Sequence, residues 1–129
     1  MEIHKVLLVE DDADIQKVAR ISLQFRGGWE VSVATNGEEC LAMLATDRPD
    51  LILLDCMMPK LDGYETCRRL KQDPSLRHIP VIFLTAKAQE AEVKKGLSLG
   101  AVGYLIKPFN PMSLVEEIEQ ILQYREGKR

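Results

Sequence analysis

Acidic, hydroxyl and amino side chains lie at or just after the ends of short aliphatic runs at four places in this sequence. They are Asp11, Asp12, Asp55, Thr85 and Lys107. Three carboxylates that converge on one crevice repel one another, and each resists ionising unless a positive charge lies near it. Mg²⁺ meets that need, because it takes oxygen ligands and commonly joins one or two carboxylates to a phosphate group. A lysine and a hydroxyl complete the set that holds a phosphoryl group, so these residue types predict chemistry on phosphate.

The five side chains can meet only if the aliphatic runs are parallel strands of one sheet. Residues 51–54 are four aliphatic residues in a row, which is typical of a strand buried on both faces. Strands are predicted at residues 6–9, 30–34, 51–55, 80–85 and 103–106. Since right-handed crossovers send the carboxyl ends of such strands to one edge, where the strand-to-helix loops open, we expect the five side chains to gather there.

Amphipathic segments fill the stretches between these strands. Helices are predicted at residues 14–26, 37–45, 64–72, 89–99 and 111–122. In the first of them, the spacing places on the buried face Ile15, Val18, Ala19, Ser22 and Phe25. Asn110 is expected to cap the last helix, with Pro111 at its first position. The helix at 89–99 should be the easiest to perturb, because its internal Gly96 costs about 1 kcal/mol relative to alanine.

Strands and helices that alternate over short connections predict a doubly wound α/β fold, in which a parallel sheet lies between two layers of helices. A chain of 129 residues with 46% hydrophobic content fits one globular domain. The net charge of −3, from 17 basic and 20 acidic residues, argues against direct binding of nucleic acid. The apolar run at residues 6–9 is far shorter than the core of a signal peptide, so we expect no membrane segment.

The three cysteines are an odd number without metal-ligand spacing. We therefore expect reduced thiols, a cytoplasmic protein and no zinc site. Cys56 lies directly beside Asp55, but a cysteine at the end of a buried strand is more often a small packing residue. We assign it no chemistry.

Taken together and in this order, the motifs resemble the receiver domain of bacterial two-component response regulators, the CheY-like family. The residues that carry the resemblance are Asp11, Asp12, Asp55, Pro59, Asp62, Gly63, Thr85, Ala86, Tyr104, Lys107 and Pro108. The resemblance covers about residues 5–124, so we expect a single receiver domain over residues 1–129. It implies a flavodoxin-like (βα)5 three-layer sandwich with strand order 2-1-3-4-5. It also implies a phosphoprotein of phosphorelay signal transduction.

The resemblance implies a phosphoryl acceptor and a metal site. Asp55 resembles the aspartate that attacks the phosphorus of a phosphohistidine on a sensor histidine kinase or a phosphotransfer protein. Asp12, Asp55 and the backbone carbonyl of Met57 resemble the protein ligands of Mg²⁺. Asp11 resembles the second acid, which acts on the metal through water. Met57 and Lys87 occupy positions that tune the lifetime of the aspartyl phosphate in this family, and we expect them to set the dephosphorylation rate here.

The resemblance also implies a switch and a signalling surface. Lys107 resembles the lysine that pairs with the acceptor aspartate and then with a phosphoryl oxygen, and its bond to Pro108 is cis in the family. Thr85 and Tyr104 resemble the switch pair, in which the hydroxyl binds the phosphoryl group and the ring swings into the space vacated. The surface of helix 4, strand 5 and helix 5 would then signal to an output domain or a downstream protein. A phosphorylation-dependent homodimer could form there through Lys94 and Lys95 against acidic residues of helix 5, which are Glu116, Glu117 and Glu119, although solvated surface charges are the more common state of such residues.

Two other classes of protein compete with this interpretation. The segment Asp12-Ala13-Asp14 superficially resembles the nucleophile motif of haloacid-dehalogenase-like phosphatases, but that family places its nucleophile on strand one. A receiver-like interaction module that works without phosphorylation would not need all five site residues. We therefore expect a signalling protein that assists its own phosphorylation and dephosphorylation, and not an enzyme that turns over an external substrate.

Overall fold

Strands and helices alternate from the amino-terminal to the carboxyl-terminal part of the chain. A computed structural model describes residues 2–58, 61–86 and 90–127. Its strands are β1 (Lys5–Val9), β2 (Glu30–Ala34), β3 (Leu51–Asp55), β4 (Val81–Thr85) and β5 (Gly103–Ile106). Its helices are α1 (Ala13–Phe25), α2 (Gly37–Leu44), α3 (Gly63–Gln72), α4 (Glu90–Ser98) and α5 (Leu114–Gly127).

The five strands form one parallel sheet in the order β2-β1-β3-β4-β5. The register aligns the strand ends, since Val9 pairs with Ala34 on one side and with Leu54 on the other. Asp55 pairs with Leu84 in the neighbouring strand. The predicted α/β fold and its strand order are thus confirmed, and the carboxyl ends of all the strands meet at one edge of the sheet.

Side chains of the central strands alternate between two hydrophobic cores, one on each face of the sheet. In β3, Ile52 and Leu54 enter the core that α2 and α3 cover, whereas Leu51 and Leu53 enter the core that α1 and α5 cover. All five residues of β3 are buried. An uninterrupted aliphatic run is what a strand between two apolar layers requires. The strand that carries Asp55 is therefore fixed from both sides.

Polar side chains cap three of the helices where the chain leaves the sheet. Asp12 precedes α1, Asn36 precedes α2 and Asp62 precedes α3, and each side-chain oxygen accepts a hydrogen bond from a backbone N–H of the first turn. Such caps satisfy donors that have no partner inside the helix. None of the helices within residues 2–58, 61–86 and 90–127 combines the length and the apolar character needed to cross a membrane.

Two details of the helices differ from the sequence prediction. The last helix begins at Leu114 and not at Pro111, because the Asn110 side chain closes a turn by accepting from the Met112 N–H at 2.9 Å. In α1, Val18 is 42% and Phe25 is 82% exposed. The buried stripe of α1 follows Ala19, Ser22 and Leu23 instead. Val18 precedes Ala19 by one residue, so its side chain is rotated by about 100° around the helix axis, away from this stripe.

Candidate functional site

Polar side chains from four strand ends meet at the carboxyl edge of the sheet. Glu10 is fully buried, Asp55 is 2% exposed and Thr85 is 7% exposed. Backbone pairing continues one residue past the strands, since the N–H of Glu10 donates to Ala34 at 3.0 Å and the N–H of Lys107 donates to Thr85 at 2.8 Å. The pairing of the sheet therefore fixes the backbone from which the Glu10 and Lys107 side chains extend.

Three carboxylates form a cluster at this edge. Glu10, Asp11 and Asp55 each offer one oxygen, and these oxygens all lie within 4.8 Å of one another. Glu10 and Asp55 are buried, whereas Asp11 is exposed. Carboxylate oxygens that converge from a buried base toward solvent are the donors that a hard divalent cation prefers. The donor set therefore fits Mg²⁺, with one side open to water and to a phosphate group.

Asp12, which the resemblance gave as a direct metal ligand, is placed outside this cluster. Its Oδ1 accepts from the N–H groups of Asp14 at 2.9 Å and of Ile15 at 3.1 Å, so the side chain caps α1. Only its backbone reaches the site, where the Asp12 N–H donates to Glu10 Oε2 at 3.1 Å. The physical reason is register: β1 ends at Val9, so the next residue continues the sheet pairing and Asp12 already turns into the helix.

Glu10 is the site residue that the sequence analysis missed. The signal was present, because the aliphatic run ends at Val9 and three acids follow it. Counting from the last apolar residue would have selected Glu10 and Asp11. The prediction instead took the last two acids of the run, and Asp12 satisfies a helix cap equally well.

Lys107 lies between two of the carboxylates. Its Nζ is 3.1 Å from Glu10 Oε1 and 3.2 Å from Asp55 Oδ1, and its side chain is 15% exposed. Burial alone would lower the pKa of Lys107, but the charges of Asp55 and Glu10 outweigh it and the net pKa is raised. The peptide bond from Lys107 to Pro108 is cis. A permanent cation therefore stands beside Asp55, where the resemblance implied one.

Burial raises the pKa of Glu10 to about 7. The negative charge of Asp55 adds to this rise, while the hydrogen bond from the Asp12 N–H and the charge of Lys107 oppose it. A buried carboxyl group next to a second one is more stable in its protonated, neutral form. The cluster therefore holds more negative charge than its own cation neutralises.

The raised pKa of Glu10 makes the stability of the metal-free protein depend on pH. The folded state keeps the proton up to about pH 7, whereas the unfolded chain releases it near the ordinary value of 4.5. The unfolding free energy therefore falls as the pH rises between these values, by about 2 kcal/mol from about pH 5 to about pH 7.5. Urea unfolding at a series of pH values measures the slope.

The matched variants for this prediction are two glutamate-to-glutamine changes. Glu10→Gln should flatten the pH dependence, because the group that titrates is gone. Glu38→Gln, which changes an exposed residue of α2, should keep the slope of the wild type. An equally steep slope in Glu10→Gln would show that another group is responsible.

Thr85 and Tyr104 lie on neighbouring strands. Thr85 closes β4 and Tyr104 lies in β5, where its side chain is 38% exposed. A small cavity of about 10 Å³ is lined by both residues and by Cys56, Tyr64 and Gly96. The two predicted switch residues thus border one space between the sheet and α4.

The loop after β3 turns back onto Asp55. The Met57 N–H donates to Asp55 Oδ1 at 3.2 Å, while the Met57 side chain is 78% exposed. Lys87, the other residue predicted to tune the dephosphorylation rate, and Pro59 of the loop both lie outside the described residues.

Helix α3 begins in direct contact with the end of β3. The Gly63 N–H donates to the Cys56 carbonyl at 3.1 Å. A Cβ atom at Gly63 would lie 2.1 Å from the carbonyl oxygen of Asp55. Only glycine allows a helix to approach the acceptor strand this closely.

The surface of α4, β5 and α5 exposes apolar side chains. Leu97 is 45% and Ile106 is 48% exposed. A groove of about 640 Å³ runs along β5 and α5, between Ile106 and Tyr124. An apolar surface next to the switch residues is suited to contact another protein surface.

Comparisons with known proteins agree on one family. The sequence matches the family model described as the response regulator receiver domain over residues 6–119. The alkaline phosphatase synthesis transcriptional regulatory protein PhoP of Bacillus subtilis is 41% identical over 122 residues, which are 95% of this chain and 50% of that protein. The chain thus spans about half the length of the curated relatives it matches first.

Solved structures of high similarity share the fold over nearly the whole chain. The chemotaxis response regulator CheY4 of Vibrio cholerae has a TM-score of 0.86 at 32% identity, covering 93% of this chain and 99% of that chain. The BeF3-activated DrrB receiver domain has a TM-score of 0.80 at 32% identity, covering 95% and 99%. The second of these was solved in an activated state.

Proposed function

Because this chain belongs to the response regulator receiver domain family, we propose that it accepts a phosphoryl group on Asp55 from a sensor histidine kinase or a phosphotransfer protein. The observation that carries the proposal is the position of Asp55, which is buried beside the Lys107 ammonium at 3.2 Å and within the carboxylate cluster. We further propose that residues 1–129 act as a single receiver domain in the cytoplasm.

The transfer step is a displacement at phosphorus. A carboxylate oxygen of Asp55 forms the new bond to phosphorus, while the bond from phosphorus to the donor nitrogen or acyl oxygen breaks and the donor leaves with the electron pair. Lys107 neutralises charge on one phosphoryl oxygen, and the Thr85 hydroxyl donates a hydrogen bond to another. Sheet pairing holds the backbone of both residues at the strand ends, so only their side chains have to move toward the phosphoryl group.

We propose that the acidic cluster binds the cation. Glu10, Asp11, Asp55 and the backbone carbonyl of Met57 would hold Mg²⁺, with Glu10 taking part in place of Asp12. When bound, the ion neutralises the carboxylates and the phosphoryl oxygens as they approach one another. The high pKa of Glu10 supports this assignment, because a site built for a cation carries excess negative charge without it.

Phosphorylation adds nearly two negative charges and three acceptor oxygens in a site that already holds three carboxyl groups. This favours the arrangement in which Lys107 and Thr85 close on the phosphoryl group. Movement of Thr85 leaves room beside the small cavity that Tyr104 lines. We propose that Tyr104 moves inward and alters the surface of α4, β5 and α5, which then signals to an output domain or a downstream protein.

We also propose a phosphorylation-dependent homodimer through this surface. Two of the residues expected to form its ion pairs have partners within the chain. Lys95 Nζ lies 4.4 Å from the ring centroid of Tyr64, and Glu116 accepts from Arg26 at 3.0 Å. A dimer would have to exchange these contacts. An unchanged molecular mass in solution after activation would exclude the dimer.

The phosphatase alternative is not favoured. Its nucleophile would lie in Asp12-Ala13-Asp14, but the Asp12 side chain accepts hydrogen bonds from the first turn of α1. Asp55, at the end of β3, lies beside the buried ammonium of Lys107. We propose that the domain assists its own phosphorylation and dephosphorylation and turns over no external substrate.

The test of the proposed function uses Mg²⁺ and a small acyl phosphate such as acetyl phosphate. Mass spectrometry of the intact chain should show the addition of one phosphoryl group. The addition should disappear when EDTA removes the metal. An unchanged mass in the presence of Mg²⁺ would overturn the proposal.

The lifetime of the aspartyl phosphate should depend on Met57. Its thioether is exposed next to Asp55 and cannot orient water well. Met57→Asn introduces an amide that can hold a water molecule near the phosphorus, so we expect a several-fold faster decay. Phosphate release from the purified phosphoprotein measures the rate. Equal decay rates in wild type, Met57→Asn and Lys87→Glu would remove both residues from the proposal.

A further inference from the structure

The carboxyl groups of the acidic cluster are held unequally. Glu10 Oε2 accepts from the Asp12 N–H at 3.1 Å, and Glu10 Oε1 lies 3.1 Å from the Lys107 ammonium. Asp55 Oδ1 lies 3.2 Å from the same ammonium. Over the part of the chain that the structure describes, no hydrogen bond or ion pair holds the Asp11 carboxylate. One Asp11 oxygen still lies within 4.8 Å of an oxygen of each of the other two groups, so the Asp11 backbone must direct it there.

The backbone that leads to Asp11 is held on both sides of Glu10. The Glu10 N–H continues the sheet by donating to the Ala34 carbonyl at 3.0 Å. The Glu10 carbonyl accepts from Nε2 of the Gln16 side chain at 2.6 Å. A peptide unit is planar, and this one includes both the Glu10 carbonyl and the Cα atom of Asp11. The Gln16 hydrogen bond therefore restricts the position from which the Asp11 side chain extends.

Gln16 reaches this carbonyl because of its place in α1. The helix begins at Ala13 with Asp12 as its cap, so Gln16 is the fourth helical residue. Helical side chains lean toward the amino terminus and cover the preceding turn. A glutamine at this position therefore extends past the cap to the end of β1. Its side chain is half-buried, which limits the competition of water for the hydrogen bond.

The helix that carries Gln16 is itself fixed to the rest of the domain. Ala19 and Leu23 of α1 are fully buried in the core on this face of the sheet. The Ser22 hydroxyl donates to the Pro111 carbonyl at 2.6 Å, which joins α1 to the segment before α5. A donor on a rigid element can hold its acceptor in one place. The Gln16 amide therefore connects the Asp11 backbone to a fixed helix.

We propose that Gln16 is a positioning residue that holds the peptide unit between Glu10 and Asp11, so that the Asp11 carboxylate is directed at the cation site before Mg²⁺ binds. Gln16 acts through the backbone and need not touch the ion. The inference rests on the proposed function, since it assumes that Mg²⁺ binds in the acidic cluster. Without the Gln16 hydrogen bond, the loop has to be ordered when the ion binds, which weakens the binding.

The first test measures the binding of Mg²⁺ to the full chain by isothermal titration calorimetry. Gln16→Leu keeps the size of the side chain and removes the donor, so the dissociation constant should rise about fivefold, as expected for one neutral hydrogen bond. Gln16→Asn keeps the neutral amide but is one methylene shorter, so it should show most of the same loss. Gln24→Leu makes the same change at an exposed position of α1 and should bind like the wild type. All three variants keep the net charge of the chain.

The second test follows the backbone of Asp11 by ¹⁵N NMR relaxation. In the metal-free wild type, the order parameter of the Asp11 amide should be that of a rigid backbone. Gln16→Leu should lower this order parameter in the metal-free state, and saturation with Mg²⁺ should restore it. A residue that served only the stability of α1 would lower the midpoint of urea unfolding without this signature.

The third test separates binding from chemistry in the phosphorylation reaction. For Gln16→Leu, the concentration of Mg²⁺ that gives half of the maximal rate with acetyl phosphate should rise by the same factor as the dissociation constant. The rate at saturating Mg²⁺ should stay close to that of the wild type, because Asp55 and Lys107 are unchanged.

The outcomes separate this inference from the function on which it rests. If the wild type and Asp11→Asn bind Mg²⁺ equally well, the proposed cation site fails and the inference fails with it. If the wild type binds Mg²⁺ through Asp11 but Gln16→Leu and Gln16→Asn share its affinity, only the inference is overturned. An equal loss of affinity in Gln24→Leu would also overturn it. If Gln16→Leu does not fold, the affinity of Gln16→Asn decides alone.

Discussion

Asp55→Asn should abolish phosphorylation. After incubation with Mg²⁺ and acetyl phosphate, the variant should keep its unmodified mass under conditions that phosphorylate the wild type completely. The reason is chemical, because an amide oxygen carries no full negative charge and is a poor nucleophile toward phosphorus. The variant should still fold, since the amide retains an oxygen that can accept the Met57 N–H, as Asp55 Oδ1 does at 3.2 Å.

The control for this experiment is Asp12→Asn. Asparagine caps helices about as well as aspartate, so the start of α1 should be unchanged. Because the Asp12 side chain caps α1 and lies outside the carboxylate cluster, the variant should be phosphorylated at nearly the rate of the wild type. A phosphoryl group that persists on Asp55→Asn would place the acceptor elsewhere. A complete loss in Asp12→Asn would return that residue to the site.

Gly63→Ala should be among the most damaging single-methyl changes in the chain. The added Cβ would lie 2.1 Å from the carbonyl oxygen of Asp55 and 2.9 Å from the Cα of Cys56. Both are backbone atoms, so no side-chain rotation can relieve the overlap. Either α3 or the end of β3 must shift, and overpacking of this kind costs about 3 kcal/mol. The midpoint of urea unfolding reports this loss.

The same change should slow phosphorylation at least tenfold in the fraction that remains folded, because a displaced strand end moves the acceptor oxygen away from Lys107. Gly28→Ala is the matched control. That glycine has φ +69° and open space around it, so alanine should cost about 1 kcal/mol from backbone strain alone. Phosphorylation of Gly28→Ala should be unaffected. Equal stability losses in the two variants would mean that α3 adjusts more freely than its contacts indicate.

The sequence was a good guide wherever one periodic signal dominated. The aliphatic run of residues 51–54 predicted a doubly buried strand, and β3 ends at Asp55 as expected. Parallel strands fix the direction of their carboxyl ends, so the meeting of Asp55, Thr85 and Lys107 followed from topology alone. The fold and the general location of the site could therefore be derived before any coordinates.

The sequence was a poor guide where one residue type serves two purposes. An acid after a strand can enter the site or cap the next helix, and the identity of the residue does not distinguish these roles. The choice between Glu10 and Asp12 depends on the residue at which β1 stops pairing, which is a matter of register. Asn110 presented the same ambiguity, since it closes a turn before α5 and does not cap the helix.

Contacts between distant segments could not be predicted from the sequence. The closeness of Gly63 to the Asp55 carbonyl depends on the angle at which α3 leaves the loop. The thiol of Cys56 was set aside as packing, and the small cavity that Cys56 lines with Tyr64 and Thr85 appears only when α3 and β4 are brought together. Such relations involve three elements at once, and no local pattern encodes them.

Lys107 also has a mechanical consequence. In the strand order β2-β1-β3-β4-β5, the strands β1 and β5 are separated by two others, yet Lys107 from the end of β5 lies 3.1 Å from Glu10 at the end of β1. The resting domain thus has a non-covalent cross-link that spans four strands along its open rim. When a phosphoryl group on Asp55 draws the ammonium away from Glu10, that span shortens to three strands, and β1, which lies between β2 and β3, is no longer linked to β5. The cation that neutralises the site therefore also links the ends of two strands that share no backbone hydrogen bonds.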